Sequence, residues 1–209
     1  MKAETFFSDS QKEKIQAAIS EVESKTSGEV VVMVVDQSDS YPEANLFAGG
    51  IIGGLLALII SDWLFSASLW YFVPLYIVIG FGIGWGAKFC PGLLRYFTLG
   101  ARLENQVREE AIKAFYEKGL YKTRDKTGIL FFISLFEHRV WVLADEGIYT
   151  KISQETLQEY AGSIAKGIKN SNAAEMLICE ISKVGEILAE HFPIKSDDIN
   201  ELSNKVIIG

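Results

Sequence analysis

The sequence predicts an α/β fold, a mixed sheet sandwiched by helices and interrupted by a two-helix transmembrane hairpin. Three observations carry that expectation. Two long apolar stretches lie inside the chain rather than at an end. A β-branched run, Glu29-Val-Val-Val-Met-Val-Val-Asp36, precedes them. Two apolar segments around a short polar turn, Gly128 to Leu135 and Val140 to Leu143, follow them.

The elements follow in chain order. Ser10-Gln-Lys-Glu13 has the form of a capping box. Ile15, Ala18, Ile19 and Val22 then recur at helical spacing, so residues 10–25 are expected to form an amphipathic helix that ends at Thr26-Ser-Gly28. The run Glu29 to Asp36 is apolar without alternation, which predicts a strand buried on both faces.

The first apolar stretch, residues 46–65, runs from Leu46 to Ile60 and continues past Asp62 to Phe65; the second is residues 69–89. Each is close to the roughly 20 residues that a helix needs to cross a bilayer. Two spans return the chain to the side it left, so residues 1–45 and 95–192 are expected to build one split domain, followed by a tail over 193–209. Lys88, Arg95 and Arg102 follow the second span, whereas the connection from Ser61-Asp62 to Ser68 has no base. The bias of basic residues toward the cytoplasm then predicts a multi-pass inner-membrane protein with its soluble domain and both termini cytoplasmic. The first residues lack the pattern of a secretory signal, in keeping with that orientation. Trp63, Trp70, Tyr71 and Trp85 fall where an interfacial belt is expected.

Glycines within the spans recur four apart: Gly49/Gly53, Gly50/Gly54, Gly80/Gly84 and Gly82/Gly86. Small residues at that spacing let helix backbones approach closely in lipid. Two readings stand, one in which the pairs only hold the hairpin together and one in which they form the surface of a homo-oligomer. No ionisable residue lies mid-span, which argues against transport or proton relay.

Beyond the spans, Arg102 to Lys118 carries Leu103, Val107, Ala111, Ala114 and Phe115 on one face, with Gly119 as the stop. The segments Gly128 to Leu135 and Val140 to Leu143 predict an antiparallel hairpin around Phe136-Glu-His-Arg139. Ser153 caps a helix over 153–168, with Leu157, Tyr160, Ala161, Ile164 and Ile168 inward. Asn172 caps a last helix, with Leu177, Ile181, Val184 and Leu188 inward and His191 in its final turn. The remainder, Ile194 to Gly209, reads as a polar tail.

Composition narrows the function. The chain has 209 residues and a net charge of −7, so a nucleic-acid partner has no electrostatic support. The lipid bilayer and other membrane proteins are the expected partners. Cys90 and Cys179 are too few for a disulfide framework; Cys90 reads as a buried or interfacial thiol and Cys179 as packing. His138 and His191 have no partner at metal-ligand spacing.

A helix between the first two strands makes them parallel. The chain then leaves for the membrane from the end that carries Asp36, Glu137, His138 and Arg139. The opposite edge gathers Glu29, Asp125, Thr127, Asp145 and Glu146. Asp125, Asp145, Glu146 and Glu29 are the right ligand type for Ca²⁺ or Mg²⁺, and Lys122, Arg124 and Lys126 enter the same edge and suit a phosphate. A cation with basic residues is the minimum set for phosphoester hydrolysis, with Asp125 and Asp145 as the catalytic candidates. The same residues also fit a solvated rim, in which Asp145 starts a turn and Glu146-Gly147 completes it.

Thr26-Ser-Gly-Glu-Val-Val-Val-Met-Val-Val35, the stretch Thr127 to Gly147, and the ending His191-Phe-Pro193 with Asn200-Glu-Leu202 resemble the TPM domain family, in particular a membrane-bound bacterial branch. The resemblance implies a βα sandwich and divalent-cation binding as in some members. It also implies roles in stress response, repair or assembly of membrane complexes, and acid phosphatase activity of the kind proposed for lumenal members. Those members tend to carry a glycine-tyrosine-glycine run where this chain has Ala144-Asp-Glu-Gly147. The expected function is a membrane-anchored, non-catalytic interaction or assembly module, with a cation-dependent phosphatase and an oligomeric membrane scaffold as alternatives.

Overall fold

Seven consecutive buried residues, Glu29–Val35, form the central strand β1 in a computed structural model that describes residues 2–65, 68–195 and 200–209. Its neighbour β2, Gly128–Ser134, runs parallel to it in the register Glu29 to Gly128 through Val35 to Ser134. Strand β3, Arg139–Ala144, pairs antiparallel with β2. The sheet order is β3-β2-β1-β4. The mixed sheet, the parallel first pair and the hairpin all agree with the sequence reading.

The fourth strand does not. Ile207–Ile208 (β4) pairs parallel with Met33 and Val34 of β1, and the Gly209 amide donates to the Val34 carbonyl at 3.0 Å. The end of the chain is therefore an edge strand rather than a polar tail. Its residues 196–199, like residues 66–67 of the expected interspan loop, lie outside the described residues.

Alternation along the strands sends side chains into two cores, as the period of two requires. Val30, Val32, Val34, Ile129, Phe131 and Ile133 meet helices α2 (Asp9–Glu23), α8 (Gln154–Lys169) and α9 (Ala173–His191) on one face. Val31, Met33, Val35, Leu130 and Phe132 meet Val107, Ala111, Ala114 and Phe115 of α6 (Gly100–Glu117) on the other. Gly119, at φ 79°, takes the left-handed conformation that ends α6.

Two caps differ from expectation. Helix α2 follows the short α1 (Ala3–Phe6) and begins two residues early, with Ser8 as N-cap and Gln11 as its reciprocal partner. The buried Phe7 fixes the entry of the chain there, so Ser10 falls inside the first turn. Asn172 stands at the N-cap of α9 without a side-chain capping bond; its amide donates instead to Gly167 at 3.0 Å, closing the end of α8. Ser153 caps α8 as read, accepting from the Thr156 amide at 3.2 Å.

The chain divides into two compact units, Met1–Ser38 with Glu104–Gly209, and Asp39–Leu103. The second contains α3 (Pro42–Phe65), α4 (Leu69–Ala87) and the short α5 (Pro91–Phe97). Helices α3 and α4 are long and apolar enough to cross a membrane. Helix α3 starts at Pro42, four residues before the apolar stretch, because proline suits the first helical position. Trp63 and Trp70 are 83% and 88% exposed, so they belong to no core of this unit.

Candidate functional site

The register that sets Glu29 beside Gly128, and Ile129 beside Ala144, brings the starts of β1 and β2 and the end of β3 to one edge. The candidate acids gather there, each with its own partner. Asp125 receives the Lys195 ammonium at 2.6 and 2.7 Å, and that bond holds its carboxyl below the usual range. Glu146 is held low in the same way by Lys126, at 2.6 Å. Asp145 is the N-cap of α7 (Glu146–Tyr149) and accepts from the Glu146 amide at 2.7 Å. Its second carboxylate oxygen is buried and has no hydrogen-bond partner. Glu29 is buried and accepts from the Glu201 amide at 2.9 Å.

Sharing an edge is not convergence. Among the described residues no three His, Cys, Asp or Glu side chains are grouped so as to hold a metal ion. The basic residues are also dispersed. Lys122 lies over the Tyr121 ring at 5.6 Å, Lys126 faces Glu146, and the backbone amide of Arg124 donates to Glu201 at 3.2 Å. The turn that presents them is tight, with Lys126 at φ 56° and its carbonyl taken by the Gly147 amide at 3.1 Å.

A second group at this edge escapes sequence reading. Glu23, in the last turn of α2, accepts from the Val30 amide at 3.0 Å and from the Asn204 side chain. Burial pushes its carboxyl up to about 7; the Val30 bond opposes the shift and the Glu29 charge adds to it. With Ser20, Thr26, Glu29, Asn200 and Asn204 it borders a cavity of about 290 Å³. One signal was present, because Glu23 is four residues after Ile19 and so flanks the apolar stripe of α2. Nothing local marks Asn204.

At the opposite end of the strands, Glu137 is fully buried and accepts from the Ser38 amide at 2.8 Å and from the Ser134 hydroxyl. Asp36 accepts from the Ala3 amide at 2.5 Å. His138 occupies the turn at φ 52°, and Arg139 faces Glu104 at 3.8 Å. His191 closes α9. Cys90 and Cys179 are both exposed, so Cys179 is not the packing residue its helix suggested; it follows Ile178 onto the outer face of α9.

Six of the span glycines divide into two sets. A Cβ on Gly53 would lie 2.5 Å from the Gly80 Cα, one on Gly49 would collide with the Gly80 carbonyl, and one on Gly84 would lie 3.0 Å from the Asn45 carbonyl. Those four glycines form the α3–α4 contact. Gly82 and Gly86 have nothing within 4 Å.

No family model matches the chain, and no curated protein matches it. Among solved structures, it is similar to the NMR structure of the BA42 protein from the psychrophilic bacterium Bizionia argentinensis. The TM-score is 0.60 at 20% identity, over 98% of this chain and 96% of that one. At that identity the likeness is one of fold.

Proposed function

We propose that this chain is a membrane-anchored module of the TPM type, non-catalytic, which presents its α/β domain to partner proteins at the inner membrane. One observation carries the reading. The acids suited to catalysis are engaged in structure, Asp125 by Lys195, Glu146 by Lys126 and Asp145 as a helix cap. Helices α3 and α4 supply the anchor by length and composition. Both termini are cytoplasmic in this reading, because Lys88, Arg95 and Arg102 follow the second span.

Thiol labelling tests the topology. Lys14→Cys and Lys169→Cys, each on an exposed helix face, are made in a background with Cys90 and Cys179 replaced by Ser. Both sites stay protected from an impermeant reagent in intact cells and react after lysis. Labelling of one site alone in intact cells overturns the reading. Phosphoester turnover by purified protein, abolished by both Asp145→Ala and Asp125→Asn, replaces it with the Ca²⁺- or Mg²⁺-dependent phosphatase.

A further inference from the structure

Helices α3 and α4 cross at glycines and leave an open groove beside the crossing, about 530 Å³ in volume. Gly49, Gly50, Gly80 and Gly84 line it, with Tyr76 and Trp85 at its sides. The floor is bare at Gly50, where a Cβ would meet only the Tyr76 hydroxyl, at 3.6 Å. The polar groups gather at one end. Asn45 lies level with Gly84, and Lys88 follows one helical turn later.

The side-chain oxygen of Asn45 is buried, so Lys88 is the polar group of that end open to a ligand. Arg102 is taken up by Asp39 at 3.0 Å and Glu43 at 2.8 Å, whereas Lys88 makes no ion pair among the described residues. No acid occurs between Trp63 and Leu103 to neutralise it. An apolar trough that ends in a cation has a specific complement: an acyl chain that ends in an anion.

We propose that the α3–α4 groove is a binding site for an anionic phospholipid, such as phosphatidylglycerol. One acyl chain lies along the glycine floor and the phosphate pairs with Lys88. The charge of Lys88 sets the preference for an anionic lipid. This inference rests on the membrane reading above.

The test is native mass spectrometry of the full chain, released from detergent after incubation with equal phosphatidylglycerol and phosphatidylcholine. The wild type retains phosphatidylglycerol with about a fivefold preference, the size expected for one interfacial cation. Lys88→Gln abolishes the preference, and Gly50→Leu, which fills the trough without meeting backbone, removes bound lipid of either kind. Helical circular dichroism identifies any variant that fails to fold, and Lys88→Gln, at an exposed site, keeps the test decisive without Gly50→Leu. Equal retention of the two lipids, an unchanged preference in Lys88→Gln, or a dimer that excludes lipid overturns the proposal. If the chain is recovered from cells without membranes, the membrane reading falls; if it partitions into membranes without lipid preference, only the groove falls.

Discussion

The backbone amide of Ser38 donates to the Glu137 carboxylate at 2.8 Å, although 99 residues separate the two. The same carboxylate takes the Ser134 hydroxyl, and the Ser38 and Ser134 hydroxyls meet at 2.9 Å. This buried knot ties the segment that precedes the apolar insertion to the β2–β3 turn beyond it. A carboxylate that satisfies buried donors is costly to remove, because each donor is then left without a partner. Glu137→Ala is expected to lower the stability of the domain by about 3 kcal/mol. Glu137→Gln keeps one acceptor and should lose less. Thermal unfolding followed by circular dichroism orders the three proteins; an unchanged midpoint in Glu137→Ala contradicts the account.

The two sets of span glycines predict opposite outcomes. Gly53→Leu puts a side chain where the Gly80 backbone already stands, so α3 and α4 must separate. Gly82→Ala enters open space and should be silent, or slightly stabilising through helix propensity. The distance between spin labels on cysteines placed at the exposed Leu46 and Trp85 reads the contact. An unchanged distance in Gly53→Leu would show that the hairpin does not depend on glycine.

Stability should fall with rising pH across one window. Glu23 is shifted from 4.5 up to about 7, first by burial and further by the Glu29 charge. The folded domain therefore keeps a proton that the unfolded chain has lost above pH 4.5. The stabilisation is complete below 4.5 and is lost as pH rises through about 7. Above that range two carboxylates face each other where Asn204 and the Glu201 amide hold the C-terminal segment. Glu23→Gln should flatten the profile between pH 5 and pH 8, and amide exchange of residues 200–209 reports whether that segment loosens first.

Strand β4 covers the free side of β1 with only Ile207 and Ile208. Removing residues 205–209 exposes Met33 and Val35 together with an unpaired strand edge, the arrangement that invites strand addition from another chain. The truncated protein should unfold at lower temperature and self-associate with increasing concentration. Sedimentation that stays independent of concentration would argue that two residues contribute nothing to guarding the edge.

Local pattern determined the kinds of element in this chain. An unbroken Val-rich run is a strand buried on both faces, apolar stretches near 20 residues are long helices, and Ser153 and Gly119 mark helix ends by their own backbone chemistry. Tertiary structure decided what depends on distant partners. Ile207 and Ile208 become a strand only because β1 offers an open edge, and no pattern spans two residues. The proton on Glu23 follows from its burial beside Glu29 and Asn204, and Asn204 lies 181 positions away. The acids at the strand ends share an edge because registry puts them there, yet each carboxylate takes a donor of its own, and that choice is made in three dimensions.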